Sequence, residues 1–190
     1  QSNDRSKVEA MAHALYLALQ KGLKIKYINP PSSFEETGQK ILFPDEILNI
    51  SRGTCLDLAL FYAACIERIG LYPLVFIVPG HAFLGIWLSK EDHINFWKKE
   101  AELEEDFKKK PVADAQEAAE SYFKHLLKRY ERFKENIDGG FIVPLNSTTF
   151  TSDNDFDKCK KDGTEICKKA SFEAVIDVAM VRSKVKPIPV

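Results

Sequence analysis

Residues 52–88 read RGTCLDLALFYAACIERIGLYPLVFIVPGHAFLGIWL, and the order of elements in this stretch decides the fold. From Thr54 or Cys55 to Ile69 the chain is almost continuously apolar. Leu56, Ala59, Leu60, Ala63, Ala64 and Ile66 cover most of a helical circumference, and a helix apolar on nearly all sides belongs at the centre of a domain. Gly70 supplies the stop signal. Tyr72–Val78 and Ala82–Leu88 then read as two strands meeting at a Pro79-Gly80 turn. Residues 71–88 carry no charge and approach the length of a membrane span, but Pro73, Pro79, Gly80 and Gly85 break the run in a way that suits buried strands. The predicted core is therefore α+β: a central helix packed on a small antiparallel sheet.

Working outward, Val8, Met11, Ala12, Leu15 and Leu19 fall at helical spacing between about Ser6 and Lys21, with Gly22 following as a stop. Residues 23–28 alternate like a short strand, which the Pro30-Pro31-Ser32-Ser33 cluster ends. Pro44-Asp45-Glu46 opens a short helix to about Ile50, with proline near its first position and acids in its first turn. Residues 90–136 are dense in Lys and Glu and break near Pro111, so two amphipathic helices are expected there. Gly139-Gly140 introduces a buried-strand candidate at Phe141–Leu145. A polar, Lys-rich region with weak helical signals follows Asn146-Ser147-Thr148-Thr149, and Phe172–Val181 is apolar enough to rejoin the core. With neither an internal repeat nor a clear interior linker, residues 1–190 are expected to form one domain with a helical insertion at about 90–136.

Hydrophobic residues make up 45% of the 190, enough for a core of useful size. Lys and Arg total 27 against 28 Asp and Glu, a balance without the field that marks nucleic-acid or membrane-surface proteins, so neither partner is expected. The chain starts Gln1-Ser2-Asn3 without Met or a leader pattern, which suggests an excised or processed segment. Cys55 and Cys65 are ten positions apart along one helix, too far to bridge, and Cys159 and Cys167 are expected to flank a Lys-rich, Gly-containing loop across which they could pair. Nothing else suggests a secreted disulfide scaffold, so a reducing cytoplasm is the expected compartment. Histidines and cysteines lack the paired close spacing of a zinc site, and no Gly-rich loop ends in Lys-Ser or Lys-Thr, so neither metal nor cofactor is expected.

The candidate chemistry lies at the head of the apolar helix. A thiol becomes a useful nucleophile when its thiolate is stabilised, and the unpaired N–H groups and dipole of a helix N-terminus provide that. Cys55 occupies such a terminus, Gly53 lets substrate approach the backbone, and the apolar helix behind can be held rigid. Cysteine burial statistics alone favour a merely buried helix-start residue. His81 changes the balance. It is one of four histidines, it directly follows the Pro79-Gly80 turn at a strand start, and from there a neutral imidazole can face a helix terminus across a small cleft.

Arg52-Gly53-Thr54-Cys55-Leu56-Asp57-Leu58-Ala59, then Ile69-Gly70-Leu71, then Gly80-His81-Ala82-Phe83 resemble the core of transglutaminase-like proteins of the papain-related superfamily. That resemblance implies a cysteine nucleophile at Cys55 and a catalytic histidine at His81. In the family a third residue, usually Asp before Pro-Thr on the next strand, orients the imidazole, and the matching position here is Asn146 in Leu145-Asn146-Ser147-Thr148. Asn gives a Cys-His-Asn triad of the papain sort, since a side-chain oxygen can still accept from the imidazole. His81 and Asn146 are 65 positions apart, more than is usual in the family, and the charged helical pair accounts for the excess as an insertion that could roof the cleft or contact another domain. Pro30-Pro31-Ser32-Ser33-Phe34, Gly38-Gln39-Lys40-Ile41 and the ending Asp177-Val178 through Pro187-Ile188-Pro189 extend the similarity to the transglutaminase-like segment inside large bacterial proteins related to superfamily-one helicases. This implies a module of a longer polypeptide, with other domains of the host protein as partners.

Gln39 is an oxyanion candidate by analogy of role, and its bland alternative is anchoring the loop before Pro44. Asp57 is expected to cap or brace the first helical turn. The leading expectation is acyl transfer on a peptide or glutamine amide of a protein substrate: Cys55 attacks, His81 moves the proton, Asn146 orients His81. Water as acceptor gives proteolysis or deamidation, an amine gives cross-linking, and hydrolysis is preferred because it needs no second binding site. The rivals are an inactive fold that serves as a protein-binding module, and a structural reading in which Cys55 is core packing.

Overall fold

The structure is a computed structural model that describes residues 2–29 and 40–185. Its elements in chain order are α1 (Ser2–Leu23), β1 (Lys26–Tyr27), α2 (Pro44–Ile50), β2 (Arg52–Gly53), α3 (Cys55–Arg68), β3 (Tyr72–Val78), β4 (His81–Trp87), α4 (Lys90–Lys108), α5 (Ala115–Asp138), β5 (Ile142–Leu145), a 3-10 turn (Ser147–Thr151), α6 (Phe156–Lys169), β6 (Ala174–Asp177) and α7 (Val178–Lys184). The main sheet has four strands in the order β5-β4-β3-β6, each pair antiparallel. β1 and β2 form a separate two-stranded parallel ladder that matches Tyr27 with Gly53. The fold is mixed α+β.

Side-chain alternation along β3 and β4 divides the interior in two. Val75, Leu84 and Ile86 face the apolar helix α3, where Leu58, Tyr62, Ile66, Tyr16 of α1 and Phe150 complete one cluster. Leu74, Phe76, Phe83 and Trp87 point to the opposite face and meet Phe96 of α4, Phe133 and Ile137 of α5, and Phe172. Period-two patterning on both faces is what a sheet sandwiched between helices requires.

The expected helix–strand–strand unit forms. Gly70 takes a left-handed conformation after α3, and the N–H of Leu71 donates back to Ile66 O at 3.2 Å, closing the helix. Val78 pairs with His81 across Pro79-Gly80, with Gly80 at φ 71, the arrangement of a Pro-Gly turn that needs positive φ at its second central residue. The expected opening helix, the Pro44 helix and the two helices of the 90–136 region are also present, α1 starting earlier than Ser6 and the strand at residues 23–28 reduced to Lys26–Tyr27.

α4 is tied to the sheet by a buried polar hub. Asp177, 3% exposed, accepts the indole N–H groups of Trp87 at 3.1 Å and Trp97 at 2.8 Å and the N–H of Met180 at 3.2 Å. His93 Nε2 of α4 also lies 3.2 Å from one of its oxygens. Between α4 and α5, buried Glu100 is gripped by Arg129 at 2.7 Å and by Nε and Nη2 of Arg132. Burial opposes ionisation of Glu100, yet the hydrogen bonds and charges of the two guanidinium groups outweigh it and hold the carboxyl below its ordinary range.

One local reading is corrected. The stretch between Cys159 and Cys167 is not a loop but the middle of α6, and both cysteines are buried and free. Eight positions along one helix separate them by about 12 Å, which no disulfide spans. Gly163 in their midst does not break the helix. A Cβ there would stand 2.8 Å from the carbonyl of Pro144, so glycine lets α6 press directly on the β5 backbone.

Candidate functional site

The lengths of two elements set where Cys55 and His81 fall along the sheet. α3 has 14 residues and β3 has 7, so the helix spans about 21 Å and the strand about 23 Å. The chain leaves the C-terminal end of α3 and returns along β3, so the Pro79-Gly80 turn and His81 come back to the end of the sheet at which α3 begins. Cys55 stands at that beginning.

The N-terminus of α3 is built with care. Thr54 is the N-cap, and Asp57, 1% exposed, accepts from the Thr54 N–H at 2.9 Å and the Thr54 hydroxyl at 2.8 Å through one oxygen. Its other oxygen accepts the N–H of Leu42 at 2.9 Å, which pins the segment before α2 against the helix start. Asp57 thus braces the first turn, as its position implied, and in addition fixes the neighbouring loop. Cys55, the next residue after the cap, is 5% exposed.

His81 and Asn146 meet across β4 and β5. Leu84 pairs with Leu145, so continuing that register sets Asn146 opposite Phe83, on the sheet face that His81 shares and one diagonal step from it. His81 Nε2 lies 3.2 Å from Asn146 Oδ1, and the Thr148 hydroxyl donates to the same oxygen at 2.9 Å. An amide oxygen has no proton to offer, so the ring N–H is on Nε2 and the neutral imidazole keeps its lone pair on Nδ1. Burial pushes the His81 pKa down and the Asn146 hydrogen bond partly offsets it, with a net lowering from the ordinary 6.5. His81 is therefore a neutral acceptor at physiological pH.

A cleft of about 480 Å3 opens beside this pair, walled by Val78, Pro79, Ile166 and Ala170. Asp162 and Glu165 of α6 contribute charge to it, each engaged by a lysine of the same helix, Lys158 at 2.6 Å and Lys169 at 3.3 Å.

Of the residues singled out in the sequence, His81 and Asn146 are in contact. Cys55 neither lines this cleft nor, among the described residues, makes a hydrogen bond to His81. Gln39 lies outside the described residues. Tyr27 was not anticipated: its pKa is raised, first by burial and then by the nearby Cys55 sulfur, so a protonated phenol stands within electrostatic reach of the thiol. The parallel bridge of Tyr27 to Gly53 places it there, a pairing that two-residue strands do not advertise in sequence. Thr148 was also missed as the support of Asn146, because a side-chain bond between the two leaves no pattern in the sequence.

No residue cluster among those described, of three or more His, Cys, Asp or Glu, is placed to hold a metal ion, and no described helix is long and apolar enough to cross a membrane. Comparison with known proteins returns no matching family model, no matching curated protein and no matching solved structure.

Proposed function

We propose that this chain is a transglutaminase-like, papain-related module performing cysteine-dependent acyl transfer on peptide or glutamine amides. The reading is supported by the His81–Asn146 contact, which leaves Nδ1 of a neutral imidazole free to accept a proton, and by Cys55 at the start of α3; because His81 shares the sheet face of Phe83, opposite α3, the thiol must meet the ring around the end of the sheet. In the first step the Cys55 proton passes to His81 Nδ1 as sulfur attacks the amide carbon, and the C–O π pair moves onto oxygen. Collapse of this intermediate reforms the carbonyl, breaks the C–N bond and returns the proton from His81 to the departing amine. Water or an amine then attacks the thioester, His81 takes its proton, and sulfur leaves to regenerate the thiol. Asn146 holds the ring in the tautomer that these transfers need.

The burial of Cys55 and its lack of a hydrogen bond to His81 favour a second reading, in which the fold is retained as a protein-binding module and Cys55 packs the helix start. A thiol-reactive amide probe followed by mass spectrometry separates the two. Cys159 and Cys167 are each pushed up to about 12 by burial, and burial also raises Cys65, so all three are poor competitors near neutrality. Acyl transfer requires preferential, pH-dependent labelling of Cys55 that His81→Ala diminishes. Slow labelling spread equally over the four cysteines would establish the binding-module reading instead.

A further inference from the structure

α4 and α5 enclose a second concavity, of about 300 Å3, separate from the cleft at His81. Its charge is one-sided. Lys124, Lys128 and Arg132 recur every fourth residue on α5 and so form one stripe, with successive positions about 6 Å apart along the axis. Lys110 reaches the same groove from the end of α4. The acid among the lining residues, Asp106, is engaged by Lys109 at 3.2 Å, and Arg132 is held by Glu100. Lys110, Lys124 and Lys128 make no ion pair among the described residues. Three ammonium groups facing one cavity repel one another unless an anion joins them.

A second, independent observation lies in the floor of the groove. His125 stacks on Phe107 with ring centroids 4.7 Å apart, and its Nε2 is buried with no hydrogen-bond partner. Buried ring nitrogens are ordinarily satisfied, and this one, on a residue that lines the same groove as the cations, has no partner within the described protein. Burial and then the charges of Arg129 and Arg132 lower the His125 pKa, so the free protein carries this ring neutral.

We propose that the groove between α4 and α5 binds a phosphate group, borne by a compact phosphorylated molecule such as a phosphate monoester or a diphosphate. The volume stands at the small end of ligand pockets, which run from about 300 to 1,000 Å3, and admits a phosphorylated head rather than a larger body. A phosphate presents several acceptor oxygens at tetrahedral directions and close to two negative charges, which suits three separated ammonium groups better than the two coplanar oxygens of a carboxylate. Lysines bind phosphate as point charges and need no fixed fork to do so. The bound dianion also supplies the counter-charge that lets His125 take up a proton, so the ring reports occupancy.

The test is a titration of the full chain with pyrophosphate, with inorganic phosphate and with a short single-stranded oligonucleotide at constant ionic strength, following the histidine rings by 1H–15N NMR. His125→Gln assigns the ring signal. Saturable shifts at His125 and a higher His125 pKa are expected with pyrophosphate, while the His81 signals stay in place. Lys124→Ala and Lys128→Ala, at exposed positions, should each weaken binding by about tenfold while far-ultraviolet circular dichroism remains unchanged. No saturable shift up to roughly 10 mM pyrophosphate, or binding untouched by both lysine substitutions, overturns the proposal. So does tighter binding of the oligonucleotide than of pyrophosphate, because that would make the groove a strand-binding surface.

Discussion

His81 Nε2 and Asn146 Oδ1 lie 3.2 Å apart, and the amide oxygen is shared with the Thr148 hydroxyl. The consequence is electrostatic as well as geometric. The hydrogen bond that the ring donates to Asn146 raises the His81 pKa against the larger lowering by burial, so the residue at position 146 influences where the imidazole titrates. Asn146→Asp places a negative charge on the same ring, so the acid limb of Cys55 labelling should move to higher pH. Asn146→Ala removes the opposing contribution, so that limb should move lower and the rate above it should fall about fivefold or more for want of an oriented ring. A pH series of alkylation rates on the three proteins checks both directions, and coincident limbs would show that Asn146 does not act on His81.

The same shift predicts a stability effect. The unfolded chain binds a proton on this histidine near 6.5 and the folded chain only at lower pH, so between those values the unfolded state holds more protons. Native stability should therefore fall as pH drops below about 6.5, and His81→Gln should flatten that part of the profile in urea melts. A slope unchanged by the substitution would place the proton uptake elsewhere.

Gly163 offers a prediction about packing. An added Cβ would meet the Pro144 carbonyl at 2.8 Å and the Leu145 N at 2.9 Å, backbone atoms that can yield only if β5 shifts. Although alanine favours helices more than glycine, Gly163→Ala should destabilise the protein by about 1–3 kcal/mol, because overpacking outweighs a propensity gain of about 1 kcal/mol. Since Asn146 directly follows Leu145, the shift should also disturb the His81 ring signals. Chemical denaturation and NMR of the variant check the two effects, and a stabilised protein with unmoved His81 signals would refute them.

Much of this fold is legible because the relevant signals are local. An apolar helix, Gly70, two strands and Pro79-Gly80 follow one another from Cys55 to Trp87, and matched lengths then bring His81 back towards the helix start. Asn146 is singled out in the sequence only through a resemblance of its Leu-Asn-Ser-Thr setting to a family motif, and its contact with His81 comes from the pairing of β4 with β5. Legibility ends where tertiary contact decides. Gly163 resembles a helix breaker until β5 lies against it, and Tyr27 acquires meaning only through its ladder with Gly53. Asp177 is a lone acid after an apolar run until three aromatic rings from β4 and α4 gather on it.

That last gathering carries the strongest stability prediction. Asp177 ends β6, where Leu74 is its partner across the sheet, and its carboxylate is the common acceptor for Trp87, Trp97, His93 and the first turn of α7. Asp177→Ala leaves the buried indole N–H of Trp87 and the half-buried one of Trp97 without this acceptor, and each unsatisfied buried donor costs about 1–3 kcal/mol. The substitution should therefore destabilise the protein by roughly 3–5 kcal/mol, the range seen when one partner of a buried charged network is removed. Asp177→Asn keeps one acceptor oxygen and should lose less. Because the hub joins α4 to the sheet, amide exchange should accelerate first in α4 and only later in α3. Uniform acceleration across both helices, or a loss below about 1 kcal/mol, would mean that aromatic packing of Trp87, Phe96 and Phe133 holds α4 in place without the carboxylate.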